Sequence, residues 1–480
     1  MKPNDSHTPV RHMSVVDGIC VIVGIVVGAG IFRAPSVVAG CTGSAGTMML
    51  AWLVGGLLCL CGALCYAELA TTYPRVGGEY VYLHRAFGGA VSFLFVWARA
   101  SVIQTGAIAA MAYVFGDYAS GLMGWSHPAP TILALLATVG LTFCNAIGLR
   151  ASKWTQNLLT VAKVGGLAAV VLVGLLAVRP PTIANPAAVA TTVPAAAAAT
   201  TAPVATAAAL ATAPAGNSSS AWPSFSALGL AMVFVLYTFG GWSESAYVAG
   251  EMRRRRRIIW VLVGSVGAIT ALYLAVNAAY LRVLGIGGMA ASEAVAADAM
   301  KQALGDGGRI AVSVLVAVSA LGALDGNIFT GSRAICALGD DYATFRFLGR
   351  WHGRFRTPAN AIAVQGAVAA ILVILPALPW FRKALGAGFN TAVEYTAPAF
   401  WTFLLLTGIA LFVLRVREPH VKRPFRVPLL PITGPLFCLM SAWMLYSSLD
   451  YRRGGALVGV IVLLAGVPLY LLVRRRTDAA

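Results

Sequence analysis

Val26-Val27-Gly28-Ala29-Gly30-Ile31-Phe32 interrupts the first long apolar stretch of the chain, and Tyr237-Thr238-Phe239-Gly240-Gly241-Trp242 interrupts the sixth. Both fall where a membrane helix is expected to continue, and each lies in the first segment of a block of five. Unwound backbone at membrane depth is tolerated only where it lines a cavity or is buried in protein, so paired breaks point to the binding site of a carrier. Glycine removes the Cβ penalty for leaving helical geometry, and a break exposes amides and carbonyls with no intrahelical partner. The half-helix that starts after a break offers amides and the positive dipole end to a carboxylate, while the carbonyls that end the preceding one suit an ammonium. Two such breaks face to face would hold both ends of a zwitterion. The competing reading is that the glycines only let helices pack closely, as small residues often do in membranes.

Composition agrees with a membrane environment. Of 480 residues, 59% are hydrophobic and 11% charged, and mean hydropathy is +0.79. No soluble core hides that much apolar surface, whereas a bilayer accepts it directly. The formal charge of +18 would raise a nucleic-acid partner in a soluble chain. Here the basic residues sit beside apolar segments, where retention of loops at an anionic leaflet accounts for them, and no nucleic-acid partner is expected.

About twelve segments approach the twenty-residue length that spans a bilayer. Their approximate cores are 15–40, 47–70, 89–116, 130–148, 156–178, 226–250, 258–283, 309–336, 358–378, 390–415, 429–448 and 455–473. An even count puts both ends of the chain on one side. The charges at 253–257, 415–426 and 474–476, with Lys153, mark that side as cytoplasmic, against a minority at Arg382, Lys383, Arg452 and Arg453. The resulting division is a cytoplasmic tail (1–13), a first five-helix block (14–178), an outer loop (179–224), a second block (225–415), two further helices (416–473) and a second cytoplasmic tail (474–480). The first apolar stretch is full length and reads as a first transmembrane helix, not a cleaved signal. The outer loop is a run of Ala, Thr and Pro, expected to be disordered or partly extended; a spacer is the plainer reading and a lid the other.

The eight cysteines form no CxxC pair and read as small hydrophobes in packing. No metal or cofactor is expected. The six histidines lie mostly in termini and loops, and no HExxH, P-loop or GxSxG stands in a usable context, which counts against a membrane-embedded enzyme. A channel would not need two opposed breaks.

Gly28-Ala29-Gly30-Ile31-Phe32 resembles the first-helix signature of the amino acid, polyamine and organocation (APC) superfamily, and three further segments agree. Tyr66-Ala67-Glu68-Leu69, followed by Tyr73-Pro74-Arg75-Val76-Gly77-Gly78-Glu79-Tyr80, resembles its second helix and first cytoplasmic loop. Gly322-Ala323-Leu324-Asp325-Gly326 with Ser332-Arg333 resembles its eighth helix, and Arg423-Pro424-Phe425-Arg426-Val427-Pro428 the segment before its eleventh. The likeness runs from about residue 14 onward, except in the Ala/Thr/Pro loop, and is strongest to the L-type amino acid transporter branch with its bacterial relatives.

The resemblance implies an all-α integral membrane protein of the LeuT type: two inverted five-helix repeats with helices 1 and 6 broken, plus two extra helices. It implies a permease or exchanger of amino acids in the cytoplasmic membrane, working by alternating access; a carrier of amines or polyamines is the alternative within the class. The carboxylate would meet Ala29, Gly30 and Ile31, and the ammonium the carbonyls of Val26, Tyr237 and Gly240, with Gly28 and Gly241 opening the breaks and Tyr237 serving as an aromatic gate. Some relatives have serine where this chain has Ala29. Eukaryotic L-type members pair with a heavy chain through a cysteine between helices three and four; the stretch 117–130 has none, so no disulfide-linked heavy chain is expected. The oligomeric state stays open.

Charges inside apolar segments are expensive and each needs a reason. A lysine at the position of Lys163 in sodium-independent relatives reaches toward helices one and eight and takes the place of a bound cation. Such a lysine offers a route to proton coupling, the alternatives being a snorkelling side chain or a fixed charge in an exchanger. Arg99 and Glu394 could form a buried pair, and Asp325 and Glu244 lie beside broken or glycine-rich helix; structural roles are favoured for all four. Gln104 and Ile108 on helix three are candidate selectivity positions, and Tyr237 with Trp242 argue for a neutral side chain on the substrate.

Overall fold

A computed structural model describes residues 13–75, 77–126, 128–177, 223–252, 257–292, 294–378, 388–451 and 453–478. Most of the Ala/Thr/Pro loop, the charges at 253–256, Arg382, Lys383 and Arg452 lie outside these residues. Among the described residues every regular element is a helix, and one isolated bridge joins Met13 to Met252.

The first apolar segment is two helices, α1 (Val15–Val26) and α2 (Gly30–Thr42), bent by 53°. Ser14 and Asp17 start α1 as a capping box: the Asp17 amide donates to Ser14 Oγ at 3.1 Å and the Ser14 amide to Asp17 Oδ2 at 2.9 Å. There follow α3 (Ala45–Thr72), the short α4 (Glu79–Phe87), α5 (Gly89–Ala98), a π-helical turn (Arg99–Ile103), α6 (Gln104–Met123), α7 (Ala129–Ile147) and α8 (Leu149–Leu176). The second block opens with α9 (Phe225–Thr238), which breaks and resumes as a 3-10 turn (Trp242–Glu244) and α10 (Ser245–Val248). Then come α11 (Ile258–Ala291), kinked at Gly285, α12 (Val295–Leu304), α13 (Asp306–Asp341), α14 (Ala359–Ile374) and α15 (Gly388–Arg417), followed by α16 (Leu430–Tyr451) and α17 (Arg453–Asp478).

Among the described residues nine helices are long and apolar enough to cross a bilayer, and α1 with α2 makes a tenth. The expected ninth segment is a shorter helix, Ala359–Ile374, and the twelfth falls in α17, where Gly459–Val473 is the apolar stretch among the described residues. Large apolar side chains on α7 and α8, such as Leu136, Phe143, Leu158 and Val161, are more than half exposed. A soluble protein would cover such faces; lipid wets them at no cost, and the chain is a multi-pass membrane protein. The helices α1, α6 and α13 contribute heavily to the interior, and α13 buries every residue from 322 to 339. The sequence reading missed α4 and α12. Each is a short helix between the second and third apolar segments of its block, too brief and too polar to register as a span.

Candidate functional site

The two breaks are built differently. Helix α1 ends in a turn centred on Val27 (φ −75°, ψ 74°), with the Gly28 amide donating to the Val26 carbonyl at 2.8 Å. That is an inverse γ-turn, which any residue adopts. Gly28 therefore does not supply the unusual backbone expected of it: its φ is ordinary, and a Cβ there would meet Met111 Sδ at 3.4 Å, a normal contact. Gly30 is needed for closeness, since a Cβ there would come within 3.0 Å of Thr238 Cγ2 and 3.2 Å of its Cα. The second break does need its glycine. Gly241 has φ +105°, and a Cβ there would stand 2.8 Å from Ile25 Cγ2.

Between the breaks lies a cavity of about 160 Å³. Val26, Ala29, Gly30, Tyr237 and Gly240 line it, as do Gly28 and Gly241. Ile31 is fully buried and is not part of the lining. The first turn of α2 directs the Ala29, Gly30 and Ile31 amides away from any acceptor in that helix. On the carbonyl side, Tyr273 of α11 donates its hydroxyl to Val26 O at 3.0 Å and to Thr238 O at 3.2 Å, joining the two breaks. The Tyr237 carbonyl accepts from the Gly240 amide at 3.0 Å. The Val26 oxygen thus has two donors already, Tyr273 and Gly28. Tyr273 escaped the sequence reading because one tyrosine within an apolar helix gives no periodic or motif signal.

Lys163 is fully buried and donates to the carbonyls of Gly24 (2.7 Å), Val27 (3.1 Å) and Ser319 (3.0 Å). Three N–H bonds meet three acceptors, which is the valence of an ammonium. Two of those oxygens belong to the carbonyl end of α1, where a cation offsets the helix dipole. The side chain does not snorkel to an interface. Gly322 makes room for it, since a Cβ there would lie 2.7 Å from Lys163 Nζ.

Arg99 pairs with Glu244: its Nη2 donates to both Glu244 oxygens at 3.0 and 2.8 Å, and Nη1 stands 3.6 Å from Glu79 Oε2. Glu394 lies in α15, and its side chain is not among those described. Arg99 also donates to Gln104 and stacks on the Tyr247 ring at 4.4 Å. Glu79 accepts from the hydroxyls of Tyr66 and Tyr247; burial pushes its carboxyl above the usual range, and the Arg99 charge opposes that. The π-helical turn begins at Arg99, an irregularity frequent at functional sites. Glu244 lines the cavity, but both of its oxygens are occupied by Arg99, so the wall it forms is close to neutral.

Of the helix-three positions, Gln104 lines the cavity and donates to Asn327 Oδ1 at 2.8 Å, whereas Ile108 is buried in a separate apolar cluster. Trp242 does not reach the cavity; its ring packs edge-on to Tyr66 at 5.0 Å. The apolar wall comes instead from Ile103, Ala107, Met111, Phe400 and Trp401.

A profile of the amino acid permease family matches residues 13–464. The mouse (Mus musculus) b(0,+)-type amino acid transporter 1 is 28% identical over 471 residues, covering 96% of this chain and 88% of its own. The serine/threonine exchanger SteT of Bacillus subtilis (strain 168) is 25% identical over 470 residues, 97% of each chain. The human (Homo sapiens) cystine/glutamate transporter is 28% identical over 469 residues, 96% of this chain and 85% of its own.

Proposed function

The chain belongs to the amino acid permease family, and from that premise we propose that it is a secondary transporter moving amino acids across the cell membrane by alternating access. The family is one of transporters, so the enzyme alternative is set aside. The observation that carries the reading is the cavity between the two breaks, with the amide end of α2 and the carbonyls after α9 both on its wall. The substrate carboxylate sits against the Ala29, Gly30 and Ile31 amides, and the ammonium against the Tyr237 and Gly240 carbonyls. Val26 adds a contact once Tyr273 turns its hydroxyl wholly to Thr238. Tyr237 acts as the gate. Ala29 offers no hydroxyl to the carboxylate, which forgoes about 1 kcal/mol.

In this reading the chain has twelve spans in two inverted five-helix repeats of the LeuT type plus two extra helices. The breaks in the first and sixth segments support it, as does the matching placement of α4 and α12. Both ends are cytoplasmic, on the majority of loop charges. Transport is sodium-independent and proton-coupled, because the Lys163 ammonium occupies the three carbonyls that a bound cation would otherwise take. The protein works without a disulfide-linked heavy chain, since 117–130 has no cysteine. An amine or polyamine would leave the amide end of α2 without its anion, which favours amino acids. The side chain carried is neutral, given the apolar wall and the occupied Glu244.

A thermal-shift screen of the twenty amino acids and their decarboxylated amines on purified protein tests this. Saturating ligand at about 100 times Kd stabilises by about 2.7 kcal/mol, so a subset of neutral amino acids should raise the Tm and their amines should not. Equal stabilisation by the amines, or none by any amino acid, would overturn the substrate assignment.

A further inference from the structure

Asp325 lies on α13 six residues past Ser319, fully buried and outside the cavity lining. Its Oδ1 accepts from Asn145 Nδ2 of α7 at 2.6 Å, while Oδ2 has no hydrogen-bond partner among the described residues. A buried carboxylate oxygen without a donor is costly, and the substrate site gives no reason for it. We propose that Asp325 is a proton-binding site whose occupancy is set by whether Lys163 holds the end of α1. This rests on the carrier reading above.

Among the described residues, few polar groups face this part of α13. From α8 come Lys163, whose charge acts on Asp325, and Gln156, whose Nε2 is 3.5 Å from where a Cβ on Gly326 would stand. Asn145 faces it from α7, and α1 contributes Ile25, packed on Gly326. From α6 and α14 come the apolar Ile108 and Ile362, in one cluster with Leu324 and Ile328, and the uncharged amides of Gln104 and Gln365, which donate to Asn327. Lys163 is the one charged group among them.

With α1 docked, all three N–H groups of Lys163 are committed to carbonyls, two of them on α1. None is left for Asp325, so its Oδ2 holds a proton and the carboxyl is neutral. When α1 swings away, the Gly24 and Val27 acceptors leave with it. The ammonium then turns to Asp325; the Oδ2–H bond breaks, the proton passes to water in the opened vestibule, and the carboxylate remains as the partner of Lys163. Returning α1 reverses each step. One proton is bound and released per cycle, with no other reactant, while Lys163 stays charged throughout.

The test uses full-length protein in proteoliposomes, with a trapped pH-sensitive dye and labelled L-serine, L-threonine and L-leucine. In the wild type an amino acid gradient should drive proton movement. Asp325→Asn, which keeps the shape and the Oδ1 acceptor, should cut that movement about tenfold while counterflow stays within about threefold, and Asp325→Glu should restore proton movement in part. Proton movement unchanged in Asp325→Asn would overturn the proposal. So would its absence in the wild type, a result that needs no variant to fold. Wild-type protein without counterflow of any of the three amino acids would overturn the carrier reading instead.

Discussion

The breaks in the first and sixth segments look alike in sequence, yet each is held open by different means. At the first, the backbone turns through an unstrained γ-turn, and the exposed carbonyl end is held by Lys163 from another helix. At the second, Gly241 fixes the turn through a positive φ, and the 3-10 turn that follows is tied by Glu244 to Arg99 on helix three. One break is held by breakable hydrogen bonds from a long flexible side chain, the other by backbone stereochemistry and a buried ion pair. The first is therefore the one suited to respond to ligand or proton, and the second to serve as its fixed counterpart.

Substituting Gly241 with valine should have the largest effect. The positive φ excludes a β-branched residue, and the added atoms would overlap Ile25, so no monodisperse protein is expected on size-exclusion chromatography after extraction. Arg99→Met comes next: it leaves Glu244 and Glu79 buried without their cation, a loss of about 3–5 kcal/mol that a thermal melt would detect. A Tm within a degree of wild type would show that the pair does not anchor the second break. Lys163→Met should be milder in stability but specific in consequence. Uptake should cease to respond to an imposed inward proton gradient, while amino acid exchange persists; retained proton stimulation would separate Lys163 from coupling. The smallest effect belongs to Gly28→Ala, whose new methyl meets only Met111 at an ordinary distance, and uptake within about twofold of wild type is expected. A severe defect there would mean that the first break needs its glycine after all, and the contrast between the two would collapse.

Helix positions were legible because each span is a long apolar run, and the candidate site was suggested by glycine breaks at matching places in the first and sixth segments. Val26, Ala29, Gly30, Tyr237 and Gly240 do converge on one cavity. Less legible was the reason for each glycine: sequence cannot tell a positive φ, as at Gly241, from a close approach, as at Gly30, or from neither, as at Gly28. Partners across the fold were hidden for the same reason. Arg99 meets Glu244 from 145 residues away, and Tyr273 bridges Val26 and Thr238 from a helix with no motif. The short helices α4 and α12 carry too few apolar residues to stand out from loops.

The central claim is that substrate binds at the amide end of α2, where Gly30 permits a close approach to Thr238 that an added side chain would force apart. Counterflow of labelled neutral amino acids in proteoliposomes, wild type beside Gly30→Val, tests it most directly. Saturable counterflow in the wild type and none in the variant, with both extracted from the membrane in equal amounts, is the predicted result. Normal counterflow by Gly30→Val would contradict it.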